Sequence, residues 1–201
     1  RIGGFGTSSF AYDGKMFDFR LYSGKVLTAD ERKHIYTFGA EGTDPTTDDC
    51  DVWYKLDDTD DLVLDSSGNE RHGTKTNGVS VHTGSDVPYS FQNEVGYSAY
   101  ANFDGTNDYM SIGNVTEINS ASNLSISFWF NLDVIPSVNS APIIIGSNNF
   151  WNQISDAGFR YWNGTGTNTS YSFSTGVWYH TVMAQSGTTL KVYVNGGLEG
   201  T

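Results

Sequence analysis

Two stretches of this chain gather oxygen ligands at short spacing. Asp65-Ser-Ser-Gly68-Asn69 and Asp104-Gly-Thr-Asn107-Asp108 each set carboxylate, amide and hydroxyl groups around a glycine. Calcium takes about six to eight oxygens, and glycine lets a backbone bend around the ion. Asp65, Asn69, Asp104, Asn107 and Asp108 are therefore candidate Ca²⁺ ligands. The same residue types also build plain turns, with Asp and Asn capping the backbone. Neither loop has EF-hand spacing, so both readings stand. A second group is aromatic. Trp151, Tyr161, Trp162, Asn163 and Tyr171 lie in or near turn-rich segments, and aromatic faces beside amides make carbohydrate platforms. The competing role is core packing, which a thin sandwich asks of its aromatics. The remaining acids cluster in loops, at Asp44, Asp48, Asp49 and Asp51 and at Asp57, Asp58, Asp60 and Asp61, a pattern of solvated charge. The sequence has no G-x-S-x-G, phosphate-binding loop, H-E-x-x-H or cysteine metal knuckle. The four histidines are scattered, and His180, alternating with Trp178, reads as structural.

The elements that must position these groups are strands. Leu124, Ile126, Phe128 and Phe130 alternate with Ser125, Ser127 and Trp129 in NLSISFWFNLD, a period of two. Residues 9–22 alternate as well, with Met16, Asp18 and Arg20 on one face and Phe17, Phe19 and Leu21 on the other. APIIIGS, GFRYWNG and the two halves of TGVWYHTVMAQSGTTLKVYVNGG read as further strands, the last pair joined as a hairpin through Ser-Gly. AYANFDGTNDYMSIG reads as two short strands around a turn. One helix is expected, over 28–36: Thr28 and Glu31 form a capping box, and Gly39 suits its C-terminal end. Residues 39–52 read as a linker, with Asp-Pro at 44–45 and little to bury.

Composition agrees. The 201 residues hold 23 Gly, twelve Tyr, twelve Phe and five Trp, a turn-rich mixture that buries large areas from few side chains. The formal net charge of −12 repels phosphate backbones and argues against nucleic acid as a partner. Cys50 is the only cysteine, so the fold has no intrachain disulfide. No apolar run is long enough to insert in a membrane. Four Asn-x-Ser/Thr sequons, at Asn114, Asn123, Asn163 and Asn168, matter only if the source glycosylates proteins.

Several stretches, in this order and spacing, resemble the laminin-G-like, concanavalin-A-like lectin jelly-roll family: YKLDD…LDSSGNERHGT, ANFDGTNDYMSIG, NLSISFWFNLD, GVWYHTVMA and LKVYVNGGLEGT. The resemblance implies an all-β jelly-roll sandwich with one short helix near the N-terminus, often with calcium near loops of the types noted above. It also covers residues 1–36, out of order, because IGG, DGKMFDFRLY and Leu-Thr-Ala-Asp-Glu are similar to the way such a domain ends. Segment 1–38 is thus expected to be the closing strands and helix of a laminin-G-like domain, 39–52 a linker, and 53–201 the main body of one. Three arrangements are open. Residues 1–38 close a preceding domain of a tandem array, fold back on their own body, or complete a neighbouring copy by strand addition. Glucanases share this fold and carry paired carboxylates on one strand; no strand here has that pattern.

The expected function is therefore non-catalytic. It is that of an extracellular structural or adhesive repeat at a cell or virion surface, in a fibre or appendage whose partners are copies of itself or neighbouring domains. The alternative is a lectin-like module for glycans, with or without calcium.

Overall fold

The computed structural model describes residues 1–4, 11–38, 47–83, 87, 99–112, 115–119, 121–137, 143–147, 150–162 and 166–201. Along the chain they form β1 (Asp13–Ser23), α1 (Ala29–Phe38), β2 (Val52–Tyr54), β3 (Leu62–Val63), β4 (Gly73–Thr76), β5 (Ser80–Thr83), β6 (Ala99–Asp104) and β7 (Tyr109–Ser111). A 3₁₀ turn at Thr116–Asn119 precedes β8 (Asn123–Leu132). Then come β9 (Ile143–Ser147), β10 (Phe150–Ser155), β11 (Gly158–Trp162), β12 (Gly166–Asn168), β13 (Trp178–Ser186), β14 (Thr189–Val194) and β15 (Gly197–Gly200). The large sheet runs β15-β14-β13-β8-β1-β6-β5, with β2 also paired to β1. Two small sheets, β12-β11-β10-β9 and β3-β4-β7, complete the architecture. All the strand pairs are antiparallel, and the all-β sandwich expected from the sequence is the fold found.

The core lies between the layers. Phe128, Phe130, Met183 and Phe19 from the large sheet pack in one cluster with Ile154, Phe159 and Tyr161 from β10 and β11 and with Val63 and Met110 from the other small sheet. Direct bonds tie the layers: Asn152 Nδ2 to Met183 Sδ at 3.4 Å, and the Tyr161 hydroxyl donating to Gln185 Oε1 at 2.8 Å. The expected pair around the 104–108 loop is present, but its strands part company. β6 pairs with β1 and β5, whereas β7 pairs with β4, so this loop carries the chain from one layer to the other.

β1 lies in the middle of the large sheet, between β8 and β6 of the same chain. Ile2 also exchanges backbone bonds with Met110 of β7, at 2.9 and 2.8 Å. Strict alternation does not survive in β1. Phe17 pairs with Trp129 and Arg20 with Ser127, so one extra residue is bulged out between them. Asp18 takes a positive φ of 50° at this bulge. The phase shifts as a result. Met16 joins Phe19 and Leu21 in the core, while Phe17 turns outward into a cluster with Trp129 and Tyr100. The expected grouping of Met16 with Asp18 and Arg20 is therefore corrected.

The bulge holds a buried ion pair. Asp18 and Arg20 are both 0% exposed. Arg20 donates through Nε to Asp18 Oδ1 at 2.9 Å and through Nη2 to Oδ2 at 3.4 Å. Trp53 Nε1 donates to the same Oδ1 at 2.9 Å, and the guanidinium sits 4.6 Å from the Trp53 ring centroid. Next to it, His180 Nε2 meets Ser127 Oγ at 2.8 Å. Burial, then the Arg20 charge, push the His180 pKa down to about 3, so the ring is neutral.

The outward side of β8 is roofed rather than wet. Ser125 Oγ accepts from Leu27 N at 2.9 Å and donates to the Lys25 carbonyl at 3.1 Å, which pins the approach to α1. The capping box forms as the sequence predicts. Thr28 N donates to Glu31 Oε2 at 2.7 Å, and Glu31 N to Thr28 Oγ1 at 3.3 Å. Leu27 and Ile35 pack on Tyr22, Trp53 and Val182, and Tyr36 stacks over Trp129 at 5.5 Å. Cys50 belongs to the same cluster, and burial pushes its thiol up to about 12. Gly39 lies outside the described residues. The β14–β15 turn is Asn195-Gly196 with φ of 49° and 83°, the positive pair that a type I′ hairpin needs. Asn195 also bonds back to His180, accepting from its N–H at Oδ1 (2.9 Å) and donating to its carbonyl (2.8 Å).

Two outcomes are expected. Arg20→Ala strands the Asp18 carboxylate in the core, and urea unfolding should show a loss of about 3–5 kcal/mol. A loss under 1 kcal/mol would mean that the pair is dispensable. The second concerns pH. His180 stays neutral in the fold but takes a proton when unfolded, near pH 6.5, so its contribution is complete above that value. It is lost as pH falls from about 6.5 toward about 3. Between pH 6.5 and 5, above the ordinary carboxylate range, the stability of wild type should fall more steeply than that of His180→Gln. Equal slopes would refute this.

Candidate functional site

Residues that neighbour each other along a strand face opposite ways, and this sorts the aromatic candidates. Ile154, Phe159 and Tyr161 face the core, and Tyr161 is only 1% exposed. Burial pushes its hydroxyl pKa up. Tyr161 is therefore withdrawn as a surface ligand, because its ring fills the core and its hydroxyl is bonded to Gln185. The alternate positions of the same strands line the other face. Trp162 is half-buried there, Gln153 is half-buried, and Arg160 and Asn168 are exposed.

Register aligns these residues. Gln153 pairs with Arg160 and Arg160 with Asn168, so a guanidinium stands between two amides across β10, β11 and β12. One step along the strands, Trp151 pairs with Trp162, and Trp162 with Gly166. The described residues give no side-chain placement for Trp151, and Asn163 lies outside them. In the other direction, Ser155 pairs with Gly158. Gly158 has a φ of 110°, and a Cβ there would stand 2.3 Å from the Thr169 carbonyl oxygen. Only glycine fits that position. Around this row the face holds a cavity of about 340 Å³ lined by Gln153, Ser155, Gly158, Arg160 and Asn168 among others.

Arg160, Gln153 and Asn168 were not among the residues the sequence singled out. The signal was there, since GFRYW alternates Phe159 and Tyr161 with Arg160 and Trp162. Taking Tyr161 and Trp162 together ignores that alternation. Tyr171 goes elsewhere. It packs with Phe173 at 4.9 Å and Tyr179 at 5.9 Å at the margin of the core, half-buried.

The oxygen-rich loops are built by hydrogen bonds from the backbone. Burial pushes the Asp65 carboxyl up, but the N–H groups of Trp53, Ser67 and Arg71 and the Ser67 hydroxyl outweigh it and hold it below the usual range. Asn69 Nδ2 donates to the Cys50 carbonyl at 2.8 Å. In the second loop, Asp104 Oδ1 accepts from Thr106 N at 2.8 Å, and Asp108 Oδ2 accepts from Asp104 N at 3.1 Å. Asn107 contributes its backbone carbonyl, which accepts from Asn77 Nδ2 at 3.0 Å. Asp108 Oδ1 is buried without a partner. Burial and the Asp104 charge push the Asp108 carboxyl up. One such oxygen is far from the cage that calcium takes. Among the described residues, no three His, Cys, Asp or Glu side chains converge to hold a metal. Within the chain these donor sets serve the turns.

The chain was compared with protein families, curated proteins and solved structures. Residues 104–201, which include β7 to β15 and the whole aromatic–guanidinium face, match the family model of the concanavalin A-like lectin/glucanases superfamily. No curated protein and no solved structure matched. Over residues 104–201 the chain is thus similar to the concanavalin A-like lectin/glucanases superfamily, in its laminin-G-like branch.

Proposed function

We propose that this lectin-like or adhesive module is non-catalytic and binds glycan on the outer face of the β10–β11–β12 sheet. The observation that carries the reading is Trp162 standing one step from the Gln153–Arg160–Asn168 row on the face away from the core. An aromatic face stacks the apolar side of a sugar, and amide and guanidinium donors take its hydroxyls. The cavity along the Gln153–Arg160–Asn168 row has amide, hydroxyl and guanidinium groups in its described lining, which suits binding. Laminin-G-like domains are typically extracellular. No helix among the described residues is long and apolar enough to cross a membrane. The reading puts the module outside the cell, at a cell or virion surface.

A second reading is assembly, carried by β1. Its bonds to β6 and β8 form within one chain here, and the same strand donated by another copy would make the same bonds. Such exchange would build the fibre or appendage that a tandem or neighbour-completing arrangement serves.

Two measurements test these readings. A broad glycan array, run with calcium and with chelator, is expected to give hits that Trp162→Ala weakens about tenfold, the scale of one lost aromatic stack. A blank array in both conditions sinks the glycan reading, and turnover of a β-glucan sinks its non-catalytic part. Light scattering of the 201-residue chain is expected to give a constant mass near 22.0 kDa when β1 closes its own sheet. A mass that climbs with concentration means that β1 completes a neighbour.

A further inference from the structure

We infer that the groove beside β3 is a docking site for a cationic segment of another protein, one in which apolar side chains alternate with lysine or arginine. The site belongs to the β3-β4-β7 sheet and stands apart from the glycan reading above.

The apolar wall is the first observation. β3 is an outer strand of its sheet. Leu62 on β3 and Leu64 just after it are 47% and 48% exposed, while Val63 between them is 1% exposed and belongs to the core. Single surface leucines are ordinary, but two on one side of an edge strand form a surface that association would cover. Lys75 N donates to the Asp61 carbonyl at 2.8 Å, with Leu62 paired to Thr74. In an antiparallel ladder that bond turns the Leu62 N–H and C=O away from β4. The Leu64 N–H donates to Asp58 Oδ2 at 2.8 Å, so a carboxylate stops an added strand there and only a short segment fits.

Charge chooses the occupant. A cavity of about 480 Å³ lies against both leucines, and Asp57, Asp58 and Asp60 also line it. Lys55 is in the same lining, with Nζ 5.2 Å from the Trp53 ring centroid, so three acids face one base. Burial and the Asp58 charge push the Asp57 carboxyl up. A cation seated beside these carboxylates offsets their repulsion. A second copy of the chain arrives with the same net charge of −12 and is repelled, whereas a cationic segment is attracted. Exposed ion pairs add little affinity, so the leucines supply the binding and the acids select the partner.

The groove is also preformed. Leu56, which leads into its loop, takes a φ of 65°, a conformation that branched side chains disfavour. Its side chain is fixed in the core at 1% exposed. Lys75 Nζ donates to the Asp58 carbonyl at 2.7 Å and holds the middle of the loop. A wall held in this way has little left to order when a ligand arrives, which lowers the entropic cost of binding.

The test is anisotropy titration of the 201-residue chain with three labelled synthetic peptides: Lys-Leu-Lys-Leu-Lys, Lys-Ser-Lys-Ser-Lys and Glu-Leu-Glu-Leu-Glu. An extended Lys-Leu-Lys-Leu-Lys sets both its leucines on one face, at the spacing of Leu62 and Leu64. The chain is compared with Leu62→Thr, Leu64→Thr and Asp60→Asn. All three positions are exposed, and threonine suits a strand, so the melting temperatures should match that of wild type. Lys-Leu-Lys-Leu-Lys should bind about fivefold more tightly than either other peptide. Each leucine variant should weaken it about fivefold, and Asp60→Asn about twofold in a way that fades as salt rises. Leucine and serine peptides binding alike, or full affinity in both leucine variants, means general attraction to an acidic chain and overturns the inference. The glutamate peptide binding as tightly as the lysine one overturns the cationic part, and silence from all three peptides overturns the whole. A mass in light scattering that climbs with concentration for wild type and stays near 22.0 kDa for Leu62→Thr gives the groove to a second copy, which overturns the partner named here.

Discussion

Placing a carboxylate and a guanidinium together in a protein interior has a large desolvation cost, and it is tolerated only when each charge finds its partner with good geometry. Asp18 and Arg20 meet that condition inside β1, the strand from which the large sheet extends on both sides. Their side chains belong to the bulge that shifts the phase of the strand. Without the extra residue, Met16 and Phe19 would point to opposite faces, and β1 could not fill the core at both ends. Trp53 reads both members of the pair, through its N–H to Asp18 and its ring under Arg20, and so fixes β2 against β1. His180 and Ser127 close the neighbouring space with a neutral contact, since a second buried cation beside Arg20 would be unfavourable. The middle of the large sheet is thus packed around this one accommodated charge pair.

Much of this architecture is legible in the sequence where a local rule decides the outcome. The alternation of Leu124 to Phe130 gives β8, Thr28 and Glu31 give the start of α1, and Asn195-Gly196 gives the last hairpin. Each depends on residues within a few positions of one another. The phase of β1 is not legible in the same way. It is set by contacts with Trp53 and with β8, far away in sequence, and a bulge leaves no mark in the hydrophobic pattern. The roof over β8 is hidden for the same reason. Ser125 and Ser127 look like solvent-facing residues, but they bond to the approach to α1 and to His180.

The site was half legible. Trp162 and Tyr161 both stand beside a turn, yet Trp162 is half-buried on the outer face and Tyr161 is in the core, because a strand cannot show two consecutive side chains to one face. Arg160 is easily passed over in a sequence, since a lone charge in a strand is ordinary. It gains meaning only when the register sets it between Gln153 and Asn168. Asp65 runs the other way. Its loop has the composition of a cation site, yet its carboxylate accepts three backbone N–H bonds and a hydroxyl, which is the work of a turn. Composition cannot distinguish an oxygen that is free to bind an ion from one already occupied by amides.

The two outer faces of the sandwich also differ in what remains for them to do. On the large sheet, Tyr36 from α1 lies over Trp129 and His180, and Arg32 lies 3.9 Å from the Tyr193 ring centroid. Trp129, His180 and Tyr193 are covered within the chain, and a ligand would have to displace a capped helix to reach them. On the β10–β12 face, Trp162 and Gln153 are half-buried and Arg160 is exposed. A half-buried tryptophan beside amide and guanidinium groups makes a surface of mixed chemistry, apolar at one row and hydrogen-bonding at the next. Water solvates the donors well and the ring face poorly. A ligand that is apolar on one side and rich in oxygen on the other satisfies both rows at once, and a sugar has that form.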